Sequence, residues 1–226
     1  FRVTLFDSAG AVASGASGNP LGIVMPVLSR KESHFSSLTL QAYLSFLRYF
    51  SQHSVFTRGI IQLFYDERST IRLNEALEWL KKAGAGSIAH AVSQQEIEEW
   101  TGVRTNYQGI FFPEACAVDP VALCRSQIDH PLIDFRPRTQ ISNIQPEATG
   151  MILTVDGKRI SSQITIVTSG HRLLAPLGWL PVKPFAGQLT YLPDRGLGPR
   201  LPICYNGYLL PAHQGFQLCG ATYEEG

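Results

Sequence analysis

The chain has 226 residues, of which 44% are apolar and 16% charged; that supports a sizeable core and excludes an intrinsically disordered chain. Nineteen basic residues against eighteen acidic ones leave a net charge of +1. No whole-chain field therefore directs the protein to nucleic acid or membrane, and a polyanion contact needs a local basic patch. The cysteines, Cys116, Cys124, Cys204 and Cys219, form no C-x-x-C pair, which argues against zinc and against a disulfide scaffold and fits a reducing, cytoplasmic setting. No apolar run reaches the roughly 18 residues of a membrane span, and no basic-then-apolar leader opens the sequence. No membrane partner is expected.

The first predicted element is a strand, Arg2-Val-Thr-Leu-Phe-Asp7, followed by a small-residue loop over Ser14–Gly22. Phe35, Leu38, Ala42, Phe46 and Tyr49 recur at helical steps and predict an amphipathic helix. A strand follows over Ile60–Tyr65, then a helix over Leu73–Ala83 closed by Gly84 and Gly86. Ser93-Gln-Gln-Glu96 has capping-box spacing and predicts a short helix to Trp100. Gln108–Phe112 reads as a strand, and Asp119-Pro120 as a helix start.

Past His130 the pattern turns to short strands: Ile133–Arg136, Thr139–Ile144, Met151–Val155 and Ile160–Val167, the last ending in Thr168-Ser-Gly-His171. Three further β segments lie near Gly187–Leu192, Ile203–Leu209 and Phe216–Ala221. The mixture predicts α/β units interleaved with a more antiparallel sheet.

An acid at the carboxyl end of an early strand is where dinucleotide-binding folds hold a ribose, because two carboxylate oxygens match two adjacent hydroxyls. Asp7 stands there; an aspartate in a turn reads the same way. The glycine-rich phosphate turn belongs about 20 residues before that acid, and too few residues precede Asp7 to hold it. The expectation is thus a nucleotide-binding domain whose first strand and phosphate loop lie outside this chain. The Ser14–Gly22 loop and the Thr168–His171 turn can bring backbone close to a planar or anionic ligand, or can be plain connections.

Several blocks carry a family resemblance. Gly15-Ala-Ser-Gly-Asn19 with Gly22 and Pro26-Val-Leu-Ser29 comes first, then Thr101-Gly-Val-Arg-Thr-Asn106 with Gly109 and Pro113. Thr168-Ser-Gly-His171, Ala186-Gly-Gln188, Cys204-Tyr-Asn-Gly-Tyr208 with Pro211, and Gly220-Ala-Thr-Tyr223 follow in order. Together they resemble the oxidoreductase domain of the bifunctional 5-methylaminomethyl-2-thiouridine biosynthesis proteins, within the wider D-amino-acid and glycine oxidase superfamily. Met25 departs from that pattern, as does Cys116-Ala-Val-Asp119.

The resemblance implies a Rossmann-like FAD-binding domain interleaved with an antiparallel-sheet substrate domain, truncated at both ends. The implied FAD-binding segments are 1–56 and 114–182, and the substrate-binding segments 57–113 and 183–226. It implies FAD as cofactor, with Asp7 on the adenosine ribose, Ser17, Gly18, Asn19 and Gly22 along the flavin, Ile141 offering backbone to adenine, and Ser169 and Gly170 near the pyrophosphate. Gln188 and Tyr208 are the implied substrate-orienting groups. Tyr205 and Tyr208, read as one strand, would point to opposite faces.

The implied reaction oxidises the 5-carboxymethylaminomethyl group of the tRNA wobble uridine. It releases glyoxylate and leaves 5-aminomethyl uridine. A tRNA and a fused or separate S-adenosylmethionine-dependent methyltransferase are the implied partners. The alternatives are a glycine- or sarcosine-type oxidase and a non-catalytic module on the same scaffold. His171 reads as structural, and Arg30-Lys31, Lys81-Lys82 and Lys158-Arg159 as solvated surface.

Overall fold

The computed structural model describes residues 1–28, 33–50, 54–172 and 175–225; Ser29 and the Arg30-Lys31 pair lie outside the described residues. Strands β1 (Val3–Phe6) and β2 (Gly22–Val24) precede helix α1 (His34–Tyr49). Then come β3 (Val55–Leu63), α2 (Glu67–Lys82), β4 (His90–Val92), α3 (Gln94–Thr101) and β5 (Gly109–Val118). Helix α4 (Pro120–Ile128) leads to β6 (Ile133–Arg136), β7 (Ile141–Glu147), β8 (Gly150–Val155) and β9 (Lys158–Ser162). Six short strands close the order: β10 (Phe185–Ala186), β11 (Leu189–Pro193), β12 (Ile203–Cys204), β13 (Tyr208–Leu209), β14 (Phe216–Gly220) and β15 (Glu224–Glu225).

These elements form two compact units. The first comprises Phe1–Asn19, Pro120–Ala186 and Glu224–Gly226. In it β1 runs parallel to β6, with Val3 level with Ile133 and Phe6 level with Arg136. Strands β7, β8 and β9 make an antiparallel sheet. Its buried side chains Ile144, Leu153 and Val155 gather Phe6, Ile141 and Met151 around them, so the end of β1 is anchored to this small core.

The second unit comprises Pro20–Asp119 and Gly187–Tyr223. Its sheet has the order β11-β14-β13-β12-β3-β5-β2, with β4 also on β5. The main core sets Leu40 and Tyr43 of α1 and Leu73, Ala76, Leu77 and Leu80 of α2 against Ile60, Ile110 and Phe112 of the sheet. Burying each leucine, isoleucine or phenylalanine side chain among them is worth about 1.5–3 kcal/mol relative to exposure. Helices α1, α2 and α3 begin on capping boxes, at Ser33 with Ser36, Asp66 with Ser69, and Ser93 with Glu96.

The unit boundaries differ from the expected segments for reasons visible in the ladders. Strand β2 pairs with β5, which pairs with β3, so the chain after Asn19 joins the large sheet rather than staying with the first unit to residue 56. Strand β5 continues through Pro113 to Val118 instead of stopping at Phe112. The β3 register shifts between Arg58 and Ile60, and that bulge accommodates a residue with no N–H to donate.

Helix α2 starts at Glu67, six residues before the apolar periodicity at Leu73 begins, because the Asp66 cap sets its first turn. Strand β9 ends at Ser162; among the described residues Ile164 and Ile166 have no strand partner and stand 70% and 82% exposed. Ile203–Leu209 is a hairpin rather than one strand, turning through Tyr205-Asn206-Gly207.

The face of α1 also inverts the pattern. Phe35, Leu38 and Tyr49 are 61%, 67% and 60% exposed, whereas Ser36, Leu40 and Tyr43 are buried. Apolar periodicity located this helix, yet a mixed stripe one position over supplies its inward face.

Candidate functional site

Asp7 directly follows β1, and its N–H donates to the Arg136 carbonyl at 3.1 Å, extending the parallel pairing by one residue. The carboxylate sits half-buried at that strand end, with Oδ1 accepting the Ala9 N–H at 2.8 Å. The turn between β6 and β7 is tied to it: Thr139 N–H donates to the Asp7 carbonyl at 2.9 Å and Arg138 N–H to the Ala9 carbonyl at 2.8 Å. The carboxylate is thus held on one oxygen at the end of a parallel strand pair, the position at which dinucleotide-binding folds place an acceptor for ribose hydroxyls.

Ser17 and Gly18 lie in a single 3-10 turn, Ala16–Gly18, with Asn19 extended after it, and all three are exposed. A Cβ on Gly18 would stand 2.8 Å from the Ala13 carbonyl oxygen, so the turn is closed too tightly for any other residue. The small exposed side chains and the bare backbone fit a flat, polar cofactor. Ile141 opens β7 opposite Val155, just before a register shift at Asn143, and its side chain joins the small core. Ser169 and Gly170 form an exposed turn, Gly170 being left-handed at φ +62°. His171 is exposed beside them.

In the second unit Gly22 begins the edge strand β2, level with Val118. Gln188 precedes β11, with an exposed side chain and a clamped backbone. Its N–H donates to Thr222 Oγ1 at 3.0 Å, and the Thr222 N–H donates back to its carbonyl at 3.3 Å. Glycines make that clamp possible. A Cβ on Gly187 would come 2.8 Å from the Thr222 carbonyl oxygen, and one on Gly220 would come 2.5 Å from Leu189 Cδ2. Thr222 as the partner of Gln188 was not legible in the sequence, since the two stand 34 residues apart.

Tyr208 lies level with Cys204 on one side and Gly220 on the other. It is half-buried and touches the apolar clusters around Ile60 and around Leu210. Burial first, then the neighbouring Cys204 and Tyr223, push its phenol above the usual tyrosine range, so at neutral pH it is a neutral hydroxyl donor. Tyr205 is 41% exposed, with its hydroxyl 3.9 Å from Cys219 Sγ. Cys219 is level with Leu209 rather than with Tyr208, and because Tyr205 lies in the hairpin turn, the alternation expected for one continuous strand does not apply to the two tyrosines.

All four cysteines are free, and burial pushes the Cys204 thiol up to about 12. Lys81, Lys82, Lys158 and Arg159 are exposed, Lys81 paired to Glu78 at 2.9 Å. A solvent-open hollow lined by Arg125, Ser126, Ile128 and Asp129 contains none of the expected site residues. Among the described residues no cluster of three His, Cys, Asp or Glu could hold a metal, and no helix is long and apolar enough to cross a membrane.

An acid at the end of a parallel strand pair, a tight small-residue turn and a largely antiparallel second sheet make a mixed α/β architecture compatible with a nucleotide cofactor. The chain belongs to the FAD dependent oxidoreductase family, whose profile matches residues 1–226. It is 30% identical over 234 residues to the tRNA 5-methylaminomethyl-2-thiouridine biosynthesis bifunctional protein MnmC of Saccharophagus degradans, covering 98% of this chain and 33% of that protein. It is also 30% identical to the protein of the same name from Paraburkholderia xenovorans, over 99% of this chain and 36% of that one. The chain thus spans about a third of the length of these relatives.

Among solved structures it is similar to glycine oxidase from Geobacillus kaustophilus, with a TM-score of 0.78 at 18% identity over 100% of this chain and 65% of that one. It is likewise similar to L-alpha-glycerophosphate oxidase from Mycoplasma pneumoniae with FAD bound, with a TM-score of 0.74 at 18% identity over 99% of this chain and 65% of that one. These likenesses establish the fold. The family fixes FAD as the cofactor.

Proposed function

We propose that the full-length protein is a tRNA-modifying flavoenzyme. It oxidises the secondary amine of 5-carboxymethylaminomethyl uridine at the wobble position, releasing glyoxylate and leaving 5-aminomethyl uridine. The observation that carries this reading is the 30% identity, along nearly the whole chain, to relatives named for tRNA 5-methylaminomethyl-2-thiouridine biosynthesis. Those relatives are named bifunctional, which supports a methyltransferase activity as the partner that acts on the 5-aminomethyl product.

In this reading the first unit holds the cofactor. Asp7 Oδ2 takes the adenosine ribose hydroxyls while Oδ1 stays on Ala9. Ile141 offers backbone to adenine, and the exposed Ser169-Gly170 turn lets the pyrophosphate approach. Ser17, Gly18 and Asn19 are the flavin-side residues of this unit, and Gly22, which belongs to the second unit, is the further flavin-side position that the resemblance implies. Bound FAD supplies the two-electron oxidation of the C–N bond, as cofactors do in such enzymes. The second unit orients the substrate. Gln188, with its backbone clamped by Thr222, presents an amide that both donates and accepts. Tyr208 presents a neutral hydroxyl that can donate to the substrate carboxylate.

The test is to incubate full-length protein with tRNA bearing 5-carboxymethylaminomethyl uridine, then digest the tRNA and weigh its nucleosides by mass spectrometry. Loss of the carboxymethyl group with matching glyoxylate supports the reading. A flavin-loaded protein that leaves that nucleoside intact while turning over glycine or sarcosine contradicts it.

A further inference from the structure

Arg138 stands in a backbone conformation that its side chain does not favour. Its φ is +53°, the left-handed region that non-glycine residues enter rarely and at a cost. The surroundings hold it there. Its N–H donates to the Ala9 carbonyl, and the next N–H, on Thr139, donates to the Asp7 carbonyl. The turn is thereby zipped to the end of β1.

The guanidinium is carried back across the loop after Asp7. The position a Cβ would take on Gly10 lies 3.2 Å from Arg138 Nε and 3.6 Å from Nη2. Gly10 is therefore a seat for the guanidinium, and alanine there would crowd it. The group itself remains exposed. The left-handed turn is retained, and a residue without a side chain stands beside it, so one flat, exposed cation lies against the loop that follows Asp7.

We infer that Arg138 is a positioning residue for the adenosine end of the cofactor, its guanidinium stacking on the adenine face. This rests on Asp7 holding the ribose. Nε and Nη2, the atoms nearest Gly10, share one edge of the guanidinium; a planar cation approached along an edge and otherwise exposed leaves its faces open to an aromatic base. The same cation could in principle serve a 2′-phosphate, but Asp7 on the adjacent hydroxyl would repel that dianion. A plain adenosine satisfies both residues.

The experiment uses the full-length protein stripped of flavin and titrated with FAD and, separately, with FMN, following flavin fluorescence. Arg138→Ala is expected to raise the Kd for FAD by roughly 3- to 30-fold and to leave the Kd for FMN, which lacks adenosine, unchanged. Gly10→Ala should weaken FAD in the same selective way, by displacing the guanidinium. The melting temperature of the flavin-free Arg138→Ala protein should not fall, because the replaced group is exposed and alanine tolerates φ +53° no worse than arginine. An unchanged FAD Kd in Arg138→Ala overturns the inference, and so does an equal loss for FAD and FMN. Failure of the ribose assignment reads out separately, as an Asp7→Ala protein that binds FAD as tightly as the parent.

Discussion

Gln188 and Thr222 exchange two hydrogen bonds: N–H to Oγ1 at 3.0 Å in one direction and N–H to carbonyl at 3.3 Å in the other. The pair fixes the backbone of a residue whose side chain is exposed. Thr222→Val keeps the volume and removes the hydroxyl, leaving the Gln188 N–H to water. A stability loss of about 0.5–1.5 kcal/mol is expected, with a rise in KM for the amine substrate. Thr222→Ser should restore both, whereas a valine variant with parental KM would remove the clamp from the site.

The glycines beside that clamp are a sharper test of packing. Gly220→Ala would set a Cβ 2.5 Å from Leu189 Cδ2 and 3.2 Å from the Gln188 carbonyl oxygen. Roughly 1–3 kcal/mol of destabilisation is expected from such overpacking. At Gly86 the nearest atom to an added Cβ is Lys81 Cγ at 3.5 Å, so Gly86→Ala should stay within about 0.5 kcal/mol of the parent. Urea unfolding of the two variants side by side checks this.

Tyr208 and Tyr205 should separate in kinetics. Tyr208→Phe removes the half-buried hydroxyl and is expected to lower kcat/KM by roughly tenfold. Tyr205→Phe touches only the Cys219 contact and should change it less than about twofold. Because the Tyr208 phenol is held above its usual range, its hydroxyl stays protonated at pH values where an exposed tyrosine begins to ionise. Equal effects of the two substitutions would contradict the assignment.

Alkaline pH should weaken the fold. An exposed thiol titrates near 9.0, while burial pushes Cys204 up to about 12. Tyr43 is raised too, by burial first and then by Cys116 and Glu114. Both groups keep their protons in the folded chain after the unfolded chain has lost them. Their contribution is complete below about pH 9 and is lost as pH rises from there towards 12, at most about 1.4 kcal/mol per pH unit per group. Cys204→Ser removes the thiol's share. Urea midpoints at about pH 8 and about pH 10.5 should therefore lie closer together in that variant than in the parent, with Tyr43's share remaining.

Local chemistry was the legible part of the fold. Ser93 with Glu96, and Pro120 at the start of α4, act over a few residues and appear as expected. What pairing decides at long range was not legible. Residues 203–209 read as one apolar run but fold back through Tyr205-Asn206-Gly207, because Cys204 must face both Gln62 and Tyr208. The α1 stripe misled in another way, since periodicity reports an apolar face without saying which partner it meets. In the candidate site Asp7 could be placed from its strand, whereas Arg138 gave no signal: its role depends on a positive φ and on a glycine 128 positions earlier.

The most direct test of the central claim is anaerobic titration of the flavin-loaded, full-length protein with tRNA bearing 5-carboxymethylaminomethyl uridine, watching the flavin absorbance. Stoichiometric bleaching by that tRNA, with none from the unmodified tRNA and none from free glycine, is the expected result. Bleaching by glycine or sarcosine, with the modified tRNA inert, would contradict it.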